Sequence, residues 1–308
     1  MKRRIFVLLA AIVLLSNVCL ADVTLQPLPG LSISTTYLVD FSDGINGVNP
    51  DYVASAGLQK NIFTRVDSAS LVATYYSAAG TMLTSSTNTE RITEGYYNNV
   101  PGFHAFKGLI MEEAKTNQCT YSQDFTNAAW VISNTTDIVV AANSVAGLDG
   151  TTTADTLTSA AANSTITQTY TAASALYTVS VFLKRKTGTG VVNISANGGT
   201  AWTACTLTTD WGRYYVSATT ANPTLAIQIV TNADAVYAWG AQIEVDGMTS
   251  YMPSLTTAVG RSCDYCWTPW RGALETSNGY SVFIKAMPWW DGAVSTSNRT
   301  WWETGNPT

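Results

Sequence analysis

The strongest constraint on this chain is the run of residues 176–184, where two sets of side chains alternate without a break. Tyr177, Val179, Val181 and Leu183 fall on one side of an extended strand. Thr178, Ser180, Phe182 and Lys184 fall on the other. The same period recurs nearby. Ile166, Gln168 and Tyr170 alternate with Thr165, Thr167 and Thr169, and Leu225, Ile227 and Ile229 with Ala226 and Gln228. Tyr237, Trp239, Ala241, Ile243 and Val245 alternate with smaller or polar residues, and residues 191–194 and 213–217 add two further segments. Six short segments in about 80 residues, separated by Thr, Asn, Asp and Gly turns and by no helical period, predict an all-β sandwich. The 45 threonines fit such a fold. A β-branched side chain favours the pleated backbone, and its hydroxyl tolerates water on an outer face.

Upstream, residues 71–76 and 102–111 read as strands, so 22–117 is expected to be a β-rich segment preceding the sandwich. Residues 1–21 read as a secretory signal. Lys2, Arg3 and Arg4 precede an apolar run over 5–15, and Cys19 and Ala21 supply the small residues of a cleavage site. The run is too short for a transmembrane span, which needs about 20 apolar residues, and no later segment is apolar enough. Cleavage would move the net charge from −5 to −8. The expected location is secreted, periplasmic or at a cell surface, with a virion as the alternative.

Several chemistries are excluded by count. One histidine, His104, cannot build a His-rich zinc site, and 16 scattered basic residues in an acidic chain leave no nucleic-acid footprint. His104 lies between aromatics, the setting of a packed structural histidine. Glu112 and Glu113 are adjacent, so on a strand they face opposite sides and cannot flank one glycosidic bond together. No catalytic residue and no metal ligand set is assigned, and the chain is read as non-enzymatic. Carboxylates near glycine in 22–51 and 137–155 would allow a structural calcium, though without EF-hand spacing. After export, Cys119, Cys205, Cys263 and Cys266 could form two disulfides in three pairings, the C-x-x-C pair 263/266 reading as a local bridge or free thiols.

Two stretches together carry a family resemblance. Residues 108–117 (GLIMEEAKTN) with 121–130 (YSQDFTNAAW) resemble a signature of phage head-spike and tail-fibre-type proteins. Residues 237–244 (YAWGAQIE) with 250–254 (SYMPS) resemble the closing strand of the same modules. Residues 63–69 (FTRVDSA) and 208–214 (TTDWGRY) are similar to their entry and an internal strand start, so the resemblance covers about 60–262. It implies a jelly-roll, carbohydrate-binding-module-like domain over 118–262, with a glycan or cell-surface polysaccharide as partner and homo-oligomers as an option. Residues 279–286 resemble the opening strand of a laminin-G-like, concanavalin A-like domain, so 263–308 is read as its truncated start. Six of the ten tryptophans lie in that tail, more indole than one or two strands can bury.

The resulting expectation is a non-catalytic glycan-binding or adhesion module of an exported or phage-derived spike- or fibre-like protein. The alternatives are a purely structural surface component and the non-catalytic part of a longer glycan-active enzyme. Sugar recognition combines aromatic faces with amide and carboxylate groups that bond hydroxyls. Trp130 and Trp239 are expected in the core, Trp239 sharing its face with Tyr237 and Ile243. Trp202, beside Gly198 and Gly199, is the leading exposed ring, and Trp211 at a strand entry is the second. Phe182, Tyr215, Gln228 and Gln242 point away from the apolar faces and would line a single groove if those faces meet.

Overall fold

A computed structural model describes residues 72–267 continuously, together with 39–40, 47–48 and 62–65. The signal-like segment, the strand expected over 279–286 and the tail tryptophans after Trp267 lie outside the described residues. Every regular element among the described residues is a strand. Short ones come first: β1 (Val39–Asp40), β2 (Gly47–Val48), β3 (Ile62–Thr64), β4 (Ala73–Tyr76), β5 (Met82–Ser85), β6 (Ile92–Tyr96), β7 (His104–Leu109) and β8 (Lys115–Asn117). The sandwich follows with β9 (Val131–Ile132), β10 (Ile138–Val145), β11 (Ala154–Ser159), β12 (Ser164–Thr169), β13 (Ala175–Thr187), β14 (Val192–Ser195), β15 (Thr203–Cys205), β16 (Gly212–Thr220), β17 (Thr224–Ile229) and β18 (Ala235–Val245). β19 (Val259–Arg261) returns to pair with β8, and β20 (Tyr265–Trp267) with β3.

The two main sheets are five-stranded and antiparallel, in the orders β10-β11-β18-β13-β16 and β15-β14-β17-β12-β9. They face each other across the expected apolar sides. Val179, Val181 and Leu183 of β13 meet Ile166 of β12, Ile194 of β14 and Leu225 and Ile227 of β17 in one buried cluster. Period-two alternation therefore does what it implies: one side of each strand enters a core, and the fold is the all-β jelly-roll sandwich. Cys119 and Cys205 are unbridged thiols in this core, and burial pushes the Cys205 thiol up to about 12. The side chain of Cys266 lies outside the described residues, as does any pairing with it.

Strand β18 departs from simple alternation. Its register on β13 slips between Ser180 and Phe182, and Gly240 there has φ of +64°. A bulge with a glycine in the left-handed region inserts one residue and turns the following side chains over. Ala241 and Ile243 therefore enter the inter-sheet core, while Trp239 and Tyr237 point out of the opposite side of the sheet. Trp239 is buried as expected, but it does not share a face with Ile243.

That outer side of the first sheet is not solvated. Residues from β4 to β7 and from 248–254 close over it. Tyr76, Met82, Tyr97 and Tyr251 pack with Phe182, Trp211 and Trp239 in a second apolar cluster. Phe182 meets Trp239 at 5.5 Å and Tyr251 at 6.0 Å between ring centroids. Backbone bonds seal the edge: the Gly102 N–H donates to the Trp211 carbonyl and the Arg213 N–H to the Asn98 carbonyl, both at 2.9 Å.

Beside these rings lies a buried ionic clasp. Arg91 donates to Glu112 at 2.8 Å and pairs with Asp264, while Arg261 reaches Glu112 at 3.0 Å and Arg65 reaches Asp264 at 3.4 Å. The Ser250 N–H and hydroxyl each donate to Glu112 at 2.7 Å. Burial alone would raise the Glu112 pKa, but Arg261, Arg91 and Ser250 outweigh it and hold the carboxyl at about 2, below its ordinary 4.5. In the folded state Glu112 thus stays ionised where the unfolded chain would bind a proton. Its stabilisation is complete above about pH 4.5 and is lost as the pH falls toward about 2. Burial raises Asp155 and Glu244 instead, and these act in the opposite direction. The expected result is a urea midpoint that falls between pH 4.5 and 2 more steeply in the wild type than in Glu112→Gln. Equal slopes would remove Glu112 from the account.

Candidate functional site

The structure divides the six expected glycan contacts between two sheets. Phe182, Tyr215 and Gln242 do share one face, since Ser180 pairs with both Tyr215 and Gln242 while Phe182 follows on β13. That face is the covered one. Phe182 and Gln242 are fully buried. The Gln242 amide donates to Glu244 at 2.6 Å and accepts the Met252 N–H at 2.8 Å, so its hydrogen bonds are internal. Trp211 is 9% exposed, at the rim of the aromatic cluster, and Tyr215 is half-buried. Gln228 lies on the second sheet. A single groove of Phe182, Tyr215, Gln228 and Gln242 is therefore ruled out, because a polar alternation marks only which side of a strand a residue takes, not what lies on top of it.

Trp202 and Gln228, in contrast, come together on the outer face of the second sheet. Cross-strand register builds this face in rows. Gln228 of β17 pairs with Asn193 of β14 and Thr165 of β12, and Asn193 pairs with Ala204 of β15. The next row runs from Ser195 through Ala226 to Thr167. Val192 and Cys205, the neighbours of Asn193 and Ala204, belong to the core, so Asn193 and Ala204 point outward, and alternation carries Trp202 to the same side. The indole lies against Gly199: a Cβ there would come within 2.6 Å of the ring, and φ of +96° suits glycine. The Gly199 N–H is held by the Ser195 hydroxyl at 2.9 Å, so the loop that seats the indole is anchored to the sheet.

The Asn193 amide donates to the Gln228 carbonyl at 2.8 Å. Both side chains are half-buried. This mutual bond uses one donor and one acceptor, leaving the Asn193 carbonyl and the Gln228 amino group directed by the pair. Thr169 and Thr224 join hydroxyls at 2.9 Å on the same sheet. The face thus presents a seated indole, an oriented amide pair and threonine hydroxyls, all on regular strands or a bonded loop. Asn193, Thr165 and Thr167 were not among the expected contacts. The alternation of Thr165 and Thr167 with Ile166 was the signal for them, whereas Asn193 needed the register of β14 on β17.

Residues considered for other chemistry have structural roles. His104 stacks on Tyr96 at 5.1 Å and bonds the Val100 carbonyl at 2.9 Å. Asp155 of β11, within the stretch read as a calcium candidate, accepts the Phe125 and Asn143 N–H groups at 2.8 Å each. Among the described residues, no three His, Cys, Asp or Glu side chains gather as a metal site.

The geometry defines a two-sheet β-sandwich with one covered and one presenting face. No family model matches the chain, and no curated protein matches it. Among solved structures it is similar to the CBM22-1 and GH10 modules of a Clostridium thermocellum endo-1,4-β-D-xylanase complexed with xylohexaose, with 18% identity over 46% of this chain and 30% of that one, TM-score 0.34. It is also similar to the enzymatically active domain of bacteriophage CBA120 tailspike protein 4, with 14% identity over 41% of this chain and 21% of that one, TM-score 0.33. A third structure, described as a CBM4, shares 16% identity over 44% of this chain and 96% of that one, TM-score 0.27. The chain spans less than a third of the first two.

Proposed function

We propose that the chain is a non-catalytic glycan-binding module of an exported or phage-derived spike- or fibre-like surface protein, and that it binds through the outer face of its second sheet. The observation that carries this reading is the Asn193–Gln228 amide pair beside the seated Trp202. A pyranose ring offers an apolar face to an indole and vicinal hydroxyls to an amide pair, and such hydroxyls need partners that both donate and accept. Sheet-borne groups pay little ordering entropy on binding.

The test is a glycan array with the full chain, followed by titration of any bound glycan. Trp202→Ala is expected to weaken binding by about 2 kcal/mol, roughly thirtyfold in Kd, as for a central aromatic contact. Gln228→Ala should weaken it by about tenfold. Absence of any glycan ligand, or binding indifferent to Trp202→Ala, would refute the proposal and favour a purely structural component.

A further inference from the structure

A second group of side chains lies on the outer side of the first sheet, where Lys184 and Tyr237 are half-buried and Lys186 is exposed. Register places Thr156 of β11, Tyr237 of β18 and Lys184 of β13 in one row, and Trp211 directly precedes Gly212, which pairs with Leu183. The Lys184 ammonium lies 4.7 Å from the Trp211 ring centre and 5.3 Å from that of Tyr237. Lys186, two residues on, places its ammonium 5.4 Å from the same Tyr237 ring and 3.3 Å from the Thr156 hydroxyl. Two cations therefore converge on one tyrosine in a chain of net charge −5.

Among the described residues neither ammonium joins an ion pair, whereas Lys115 pairs with Glu113 at 2.9 Å. Asp210 is the acidic group that acts on Lys184, from beyond ion-pair distance. Burial of Lys184 lowers its pKa, so this ammonium is partly stripped of water. Lys186 is exposed. Held cations that are short of a counter-charge favour an incoming oxyanion over water, and the aromatic rings fix where they stand.

We propose that Lys184 and Lys186, set by Tyr237 and Trp211, form a binding site for the carboxylate of an acidic saccharide, separate from the second-sheet face. That the anion belongs to a saccharide rests on the glycan-binding reading; the paired cations do not depend on it.

The experiment is a calorimetric titration of the full chain at low ionic strength with oligogalacturonate, with its fully methyl-esterified neutral form, and with inorganic sulfate. The acidic oligomer is expected to bind at least tenfold tighter than the ester and to weaken as sodium chloride is added. Lys186→Met, at an exposed position that does not threaten folding, and Lys184→Met should each weaken it at least tenfold, while Trp202→Ala leaves it unchanged. Equal binding of acid and ester, no effect of Lys186→Met, or no binding of the acid would overturn the proposal. Binding of sulfate alone would also overturn it, by reducing the site to a plain anion site. Loss of neutral-glycan binding in Trp202→Ala with acid binding kept separates the two sites. If no neutral glycan binds while the acid does, the second-sheet reading fails and this one stands.

Discussion

Arg91→Met is expected to lower the unfolding free energy by about 3–5 kcal/mol, the range for breaking a buried ion pair on one side. The Arg91 side chain has no exposure, and it joins Glu112 to Asp264 while donating to the Thr74 carbonyl at 3.0 Å. Methionine fills a similar volume but supplies none of these bonds. Arg261 stays on Glu112 and Arg65 on Asp264, so each carboxylate keeps one cation, and the cost should sit within that range rather than above it. Urea unfolding at pH 7 measures it. A loss below about 1 kcal/mol would show that the clasp contributes little beyond packing. Arg91→Met with Asp264→Leu should cost less than the sum of the two single changes, because the pair couples directly.

Trp239→Ala should cost a comparable amount, about 3–5 kcal/mol, through the cavity it leaves. The indole is fully buried between Phe182 and Tyr251, with ring centroids 5.5 Å and 5.0 Å away. Its N–H donates to the Thr153 hydroxyl at 3.0 Å, so the substitution also frees the loop before β11. Because this cavity opens on the first sheet, glycan affinity through Trp202 should hold at temperatures where the variant remains folded. A stability loss under about 1 kcal/mol would mean that the covering residues collapse into the space.

Much of the sandwich was legible because period-two alternation reports a local property, the side of a strand on which a residue lies. Val179, Ile166 and Ile227 were placed correctly by that property alone. It did not report what covers a face. Thr178, Ser180 and Gln242 look solvated in sequence, yet all three are buried: the Thr178 hydroxyl meets that of Ser217 at 2.7 Å, and the Arg213 guanidinium bonds the Ser180 hydroxyl at 3.1 Å and the Thr249 carbonyl at 2.7 Å. Those partners arrive from distant positions. Strands β10 and β11 went unread because IVVAANSV and ADTLTS alternate weakly, β10 being a largely exposed edge strand. At the candidate site, Trp202 was legible from its glycines and Gln228 from alternation, whereas the amide pair that orients Gln228 depends on a register between strands about 35 residues apart.

The clasp also sets an order of events during synthesis. Asp264 stands 199 residues after Arg65 and 173 after Arg91, so the ribosome must add nearly the whole described chain before the three can meet. A contact of that separation carries a large loop-closure cost and forms late. The strands that carry Arg65 and Arg91 therefore wait for the segment that carries Asp264, and the clasp beside the covered face is incomplete until then. For a nascent chain, that interval is the window in which the unfastened strands are within reach of a chaperone or of another copy of the same chain.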